Sequence, residues 1–196
     1  MTSRREFLVT TAKGLTLGFF LPGLSRLGAT ATAAAGNTQV NSWLSIGTDE
    51  SITLTIGSSE MGQGSFSGLT QILAEELMVD YAQIDTVQGG PTLANPAPAG
   101  TAINTVGSSV TRTSFWRMRD AGATAREMLV QAAMNRLGEP DRASYAVVGG
   151  VIVHRPSGAV LTYGQVAADA SALTPPVGAP LVPDSSPTST VFGAEC

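Results

Sequence analysis

Two short glycine- and serine-rich segments hold the residues of this chain best suited to grip a ligand. The first is Glu60-Met61-Gly62-Gln63-Gly64, and the second is Gly107-Ser108-Ser109-Val110-Thr111. Each precedes a stretch with helical spacing. A helix N-terminus presents unpaired N–H groups and a partial positive charge. Glycine lets a ligand come close to the backbone, and hydroxyls add donors. Gly62, Gln63, Gly64, Gly107, Ser108, Ser109 and Thr111 are therefore candidate contacts for an anionic, phosphate-bearing ligand. Ordinary N-capping by Ser65 and by Ser108 or Ser109 explains the same composition as well on chemistry alone.

Other residues have plainer readings. Gly62-x-Gly64 half matches a dinucleotide fingerprint, but the third glycine is displaced to Gly68. The strand before it also reads as the second arm of a hairpin, not the first strand of a βαβ unit. His154, at a strand end, reads as a surface or turn histidine. Glu75 and Glu76 read as a solvated helix face. Arg117, Arg119 and Arg126 are expected to pair with nearby acids such as Asp120. With one histidine, and Cys196 the only cysteine, no nucleophile–base pair is visible. An intramolecular disulfide and a cysteine- or histidine-rich metal site are excluded on the same count. No catalytic or metal-ligating residue is assigned.

These segments need elements to hold them. Trp43–Gly47 and Ile52–Ile56 alternate apolar and polar residues around Thr48-Asp49-Glu50-Ser51, the pattern of a β-hairpin. Leu69, Ile72, Leu73, Leu77 and Met78 predict a helix from about Ser65 to Val79. Ile84–Val87 predicts a strand, and Gly89–Gly107 a long ordered loop. A second helix is predicted from about Ser109 to Leu137, ended by Gly138 and Pro140. Tyr145–Val148, Val151–His154 and Val160–Tyr163 predict short strands. Residues 173–196 are rich in Pro, Ser and Thr and need not fold alone. The fold class expected is α+β, two main helices packed on short, mostly antiparallel strands.

The chain begins with an export pattern. Arg4-Arg5 before Phe7-Leu8 is a twin-arginine motif, and Leu8–Leu21 is a mildly apolar stretch broken by Lys13, Gly14 and Gly18. It is too short and interrupted for a good membrane span. A small-residue run, Ala29–Ala35, offers a cleavage site at Ala33-Ala34-Ala35. Residues 1–35 are therefore expected to be an export signal, 36–172 an α+β ligand-binding segment, and 173–196 a linker or truncated tail. The expected location is the periplasm or the periplasmic face of the inner membrane. The twin-arginine route carries folded proteins, which hints at a cofactor inserted before export. Of 11 basic and 15 acidic residues, the signal holds Arg4, Arg5, Lys13, Arg26 and Glu6. The remaining 7 basic and 14 acidic residues give a net charge of −7, with no electrostatic footprint for nucleic acid. Charged residues are only 13% of the chain, which suits a surface buried against a partner.

Taken in order, these motifs resemble the molybdopterin-binding large subunits of the xanthine dehydrogenase family. The likeness is to the exported branch typified by isoquinoline 1-oxidoreductase β subunits and membrane-associated aldehyde dehydrogenases. It rests on the twin-arginine start, the Trp43-Leu44-Ser45-Ile46 hairpin and Glu60-Met61-Gly62-Gln63-Gly64 before Ala74-Glu75-Glu76-Leu77. It rests also on the Gly107–Ser109 loop and Ala121-Gly122-Ala123-Thr124-Ala125-Arg126-Glu127-Met128-Leu129. It runs from residue 1 to about residue 172. The resemblance implies a molybdenum hydroxylase that oxidises an aldehyde or N-heterocycle with oxygen from water. The cofactor implied is molybdenum on molybdopterin cytosine dinucleotide. Electrons would leave through a small subunit carrying 2Fe–2S clusters, and often a cytochrome c subunit. Gly62, Gln63 and Gly64 would lie against the pterin, and Gly107, Ser108, Ser109 and Thr111 would touch the pterin or its phosphates.

The sequence also departs from that family. Thr105-Val106-Gly107-Ser108 stands where Thr-Gly-Gly-Ser is usual, and valine fits poorly if that position needs a positive φ. The Gly-Gly-x-Phe-Gly loop is absent, as is the Gly-x-Gly-Glu segment whose glutamate acts as catalytic base. Family chains are several times longer, and this one stops at Val191-Phe192-Gly193 and three further residues. The expectation is a truncated subunit, a split gene product or a fragment that needs the remainder of the large subunit and is inactive alone. A non-catalytic exported assembly or interaction domain is the alternative. A dinucleotide-binding domain is a third reading.

Overall fold

The computed structural model describes residues 14–18, 42–89, 105 and 107–183. The twin-arginine pair, the small-residue run at 29–35, Val106, residues 90–104 of the long loop and the tail from 184 lie outside the described residues.

Four strands form the first sheet in the order β1-β2-β3-β4: Gly14–Gly18, Ser42–Gly47, Ile52–Ile56 and Ile84–Gln88. β2 and β3 are the expected hairpin, with Leu44 opposite Leu54 and Ile46 opposite Ile52. Leu44, Ile46, Ile52, Leu54 and Ile56 share the buried face, as a period of two requires. β1 pairs antiparallel with the outer edge of β2. It falls inside the segment read as export signal, where no strand was expected.

Helix α1 (Ser65–Leu77) leaves β3, and β4 then returns parallel to β3, Ile52 beside Ile84 and Ile56 beside Gln88. β3-α1-β4 is therefore a βαβ crossover. This corrects the expectation that the strand before the glycine loop is not the first of such a unit: β3 serves as hairpin arm and crossover strand at once.

Helix α2 (Ser109–Leu137) packs along α1. Small residues allow a close approach. A Cβ on Gly122 would lie 2.6 Å from the Cβ of Glu76 and 3.0 Å from the carbonyl oxygen of Leu73. Leu69, Leu73 and Leu77 of α1 meet Met118, Met128 and Leu129 of α2 in one apolar core with the first sheet.

The second sheet is antiparallel, β5 (Tyr145–Val148), β6 (Val151–His154) and β7 (Ala159–Thr162). Tyr145, Val147 and Ile152 face the core, while Val148 and Val160 are 62% and 54% exposed on the opposite face. Ala146, Val151 and Val153 share that outer face by register. A short helix, α3 (Tyr163–Ala170), follows directly and was not expected. Its capping box joins Thr162 and Gln165, and Glu50, from the first hairpin, accepts from the Thr162 hydroxyl and from Gly164 N–H at 2.9 Å. Tyr163 Oη donates to the Leu77 carbonyl at 2.5 Å, tying α3 to the end of α1. The observed class is α+β, with three α-helices among the described residues, as expected in kind.

The expected solvated face of α1 is overturned. Glu76 is fully buried and Glu75 nearly so. Glu76 Oε1 accepts from Arg119 Nε at 2.7 Å, and its Oε2 accepts from the backbone N–H of Val182 at 2.8 Å. Arg126 Nη1 donates to the Glu76 carbonyl at 2.6 Å, and Arg126 Nη2 reaches the Pro180 carbonyl. Arg119 thus pairs across the helix interface with Glu76, whereas Arg126 reaches Glu76 and also pairs with Glu127, a nearby acid on its own helix, at 3.1 Å. The same network fastens residues 180–182 of the Pro-rich tail, burying Val182, while Val177 stays fully exposed. Charges taken from water require such complete pairing.

Candidate functional site

The loop between β3 and α1 is knit by two of its own side chains. Glu60 Oε1 accepts from the N–H groups of Gly62 at 2.9 Å and Gly64 at 3.0 Å. Its Oε2 accepts from Phe66 N–H at 2.9 Å and from the Ser65 hydroxyl at 3.2 Å. The Phe66 N–H above all, then those of Gly64 and Gly62 and the Ser65 hydroxyl, hold the Glu60 carboxyl below the ordinary glutamate value; partial burial opposes them without prevailing. Gln63 closes the loop from the other side. Its Oε1 accepts from Met61 N–H at 2.6 Å, and its Nε2 donates to the Ser59 carbonyl and the Ser65 hydroxyl, both at 2.9 Å.

This changes what the first segment offers. The positive end of α1 already faces a carboxylate, and the N–H groups of Met61, Gly62, Gly64 and Phe66 are committed within the loop. The segment therefore does not present the anion-binding donors expected from its sequence. It presents backbone instead. Gly62 (φ +90°) and Gly64 (φ +74°) adopt left-handed conformations, and a Cβ at either would meet nothing within 4 Å. Both glycines are exposed. A flat ring can lie against such a surface, where a side chain would stand in its way.

The second segment is brought beside the first. Ser59 N–H donates to Thr105 Oγ1 at 3.1 Å, and Gln88 Nε2 donates to Ser59 Oγ at 3.3 Å. Gly107 (φ +67°) and Ser108 (φ +52°) then turn the chain into α2. Ser108 is the N-cap residue, yet its side chain makes no capping hydrogen bond. No acidic residue stands in the first turn of α2. Ser109 begins the helix, and Thr111 is exposed on its first turn. The plainer reading, N-capping by serine, is not met by Ser65, whose hydroxyl turns to Glu60, or by the side chain of Ser108. Gly64 is the N-cap residue of α1, and Glu60 takes the capping role. The dinucleotide reading also loses its phosphate site, because Glu60 occupies the α1 N-terminus.

Glu60, Ser59 and Thr105 are the residues that sequence reasoning left out of the site. Glu60 was legible in principle: an acid just ahead of a helix without an Asx or Ser cap suits the helix dipole. The Ser59–Thr105 pairing spans 46 residues and carries no local signal. His154 is not at the surface. It is buried against the Tyr145 ring, centroids 4.8 Å apart, with Nδ1 2.6 Å from Ser157 Oγ, so it braces the β6–β7 turn away from this site. Among the described residues no group of three or more His, Cys, Asp or Glu side chains is arranged to hold a metal ion.

Comparison with known proteins points the same way. Residues 4–188 match the family model of the molybdopterin cofactor-binding domain. The chain is 32% identical over 172 residues to isoquinoline 1-oxidoreductase subunit beta of Brevundimonas diminuta, covering 85% of this chain and 22% of that protein. It is 29% identical over 153 residues to a membrane-bound aldehyde dehydrogenase (pyrroloquinoline-quinone) of Gluconacetobacter polyoxogenes, covering 74% and 19%. It therefore spans about a fifth of the length of these curated relatives. Among solved structures, a copper- and molybdenum-containing CO dehydrogenase aligns with 64% of this chain and 15% of its own at 21% identity, TM-score 0.48. Quinoline 2-oxidoreductase of Pseudomonas putida 86 aligns with 70% and 17% at 22% identity, TM-score 0.41. With the family model covering nearly the whole chain, the chain belongs to the molybdopterin cofactor-binding domain family, in the large subunits of the xanthine dehydrogenase type.

Proposed function

We propose that this chain is the part of an exported molybdenum hydroxylase large subunit that holds the pterin of molybdopterin cytosine dinucleotide. The observation that carries this reading is the meeting of the two glycine segments through Ser59 and Thr105. It sets two open stretches of backbone, Gly62–Gly64 and Gly107–Ser108, at one end of the α1–α2 pair. Gly62, Gln63 and Gly64 present the loop surface on which the pterin ring lies. Gly107, Ser108, Ser109 and Thr111, at the start of α2, meet the phosphates, because α1 is closed by Glu60. The bound cofactor supplies the redox centre for oxidising an aldehyde or N-heterocycle with water as oxygen source. The residues of this chain bind and orient it; none acts as a base. Work in the periplasm, with a 2Fe–2S small subunit, a cytochrome c subunit and the remainder of the large subunit, completes the proposal.

The test is pterin and molybdenum analysis of the complex purified from periplasm with this chain in it. Pterin present, and reduced by Gln63→Ala, is the expected result, because that variant loses the loop's second brace. The chain by itself is expected to show no dye-linked oxidation of aldehydes or heterocycles. A complex that forms but carries no pterin favours a non-catalytic assembly domain, the reading supported by the valine-covered outer face of the second sheet.

A further inference from the structure

We propose that Glu60 is the positioning residue of the cofactor loop: its carboxylate closes the N-terminus of α1 from within and sets the glycine backbone to receive the uncharged pterin ring. This rests on the loop being the pterin contact, as proposed above. The geometry divides the labour between the two carboxylate oxygens. Oε1 gathers the N–H groups of Gly62 and Gly64, while Oε2 takes the first turn of α1 through Phe66 N–H and the Ser65 hydroxyl. One side chain thereby fixes the left-handed pair Gly62 and Gly64 relative to the helix. Without it, those N–H groups and the positive helix end would turn to solvent or to any passing anion. Glycine is the residue with most conformational freedom to lose. A loop with two of them holds one shape only if something else imposes it, and binding to a preset loop avoids the ordering cost. Gln63 braces the loop's entry through Met61 and Ser59, but it does not reach the helix beyond Ser65. Glu60 reaches the backbone N–H groups of both the loop and the first turn of α1.

The experiment compares the full chain with Glu60→Gln and Glu60→Ala. Hydrogen exchange is followed at the amides of Gly62, Gly64 and Phe66, with Leu73 and Leu77 inside α1 as the control for folding. Loss of a charge-assisted bond is expected to speed exchange at the three loop amides about tenfold, with the control amides unchanged. Glu60→Gln, which keeps one acceptor oxygen, is expected to fall between. Molybdopterin content of the complex recovered from periplasm, read as pterin fluorescence after oxidation, is expected to drop in the same order. Unchanged exchange at the loop amides overturns the proposal. So does faster exchange with unchanged pterin content, which leaves Glu60 an ordinary cap. If the wild-type complex itself carries no pterin, the functional reading fails and takes this proposal with it, whereas a failure in the variants alone leaves that reading standing.

Discussion

Glu60 and Glu76 place the same carboxylate near opposite ends of one helix, in opposite surroundings. Glu60 is partly exposed and satisfied by backbone N–H groups, while Glu76 is 0% exposed and satisfied by Arg119, Arg126 and Val182. The two should fail differently. The Glu60 carboxyl is held below the ordinary glutamate value, chiefly by Phe66 N–H. Its contribution is therefore fully present above that ordinary value and is lost as the pH falls through the lowered one. Loop-amide protection, corrected for intrinsic exchange, is expected to fall over that acid range, and the fall should be missing in Glu60→Gln. Glu76→Ala takes the carboxylate from the buried Arg119 guanidinium and from Val182 N–H, while Arg126 keeps Glu127 at 3.1 Å. We expect a loss of about 3–5 kcal/mol in urea unfolding, with release of residues 180–182; a loss under about 1 kcal/mol would contradict the buried network. Neither role is visible in the residue type. Glu75-Glu76 reads as a polar helix face because a one-dimensional pattern cannot say that a second helix supplies two arginines.

At the scale of elements, much was legible. The hairpin of β2 and β3, the start of α1 at Ser65 and the span of α2 from Ser109 to Leu137 agree with the pattern of apolar residues, because period and end signals are local. What was missed was either overlooked or non-local. The Thr162-x-x-Gln165 capping box announces α3, but it overlaps the end of β7. The parallel return of β4 depends on a partner 32 residues away, Ile52 to Ile84, and no spacing rule reveals it. The α1–α2 contact turns on one residue. Gly122→Ala would place a methyl 2.6 Å from the Cβ of Glu76. Overpacking of that kind costs about 1–3 kcal/mol, so its urea midpoint should fall with an unchanged slope. A midpoint equal to wild type would mean the helices can separate without penalty.

For the whole molecule, the outer face of the second sheet is the feature a free-standing domain would not keep. An antiparallel sheet facing water normally alternates apolar and polar residues. Here Val148, Val151, Val153 and Val160 share that face, in a chain that spans about a fifth of its curated relatives. Replacing Val148 and Val160 by lysine is expected to leave urea stability within about 0.5 kcal/mol, as for exposed positions generally, while abolishing co-purification with the partner chain proposed above, the remainder of a large subunit. Retained co-purification would move the docking surface elsewhere. The sequence by itself determined the α+β class, the two long helices and the family, because these follow from composition, local period and contiguous motifs. Only the tertiary structure decided that the glycine loop turns its N–H groups inward onto Glu60, that Thr105 meets Ser59, and that Glu76 is a buried anchor. Each of those depends on which polar groups lose their water and find partners across many residues, and folding alone sets that.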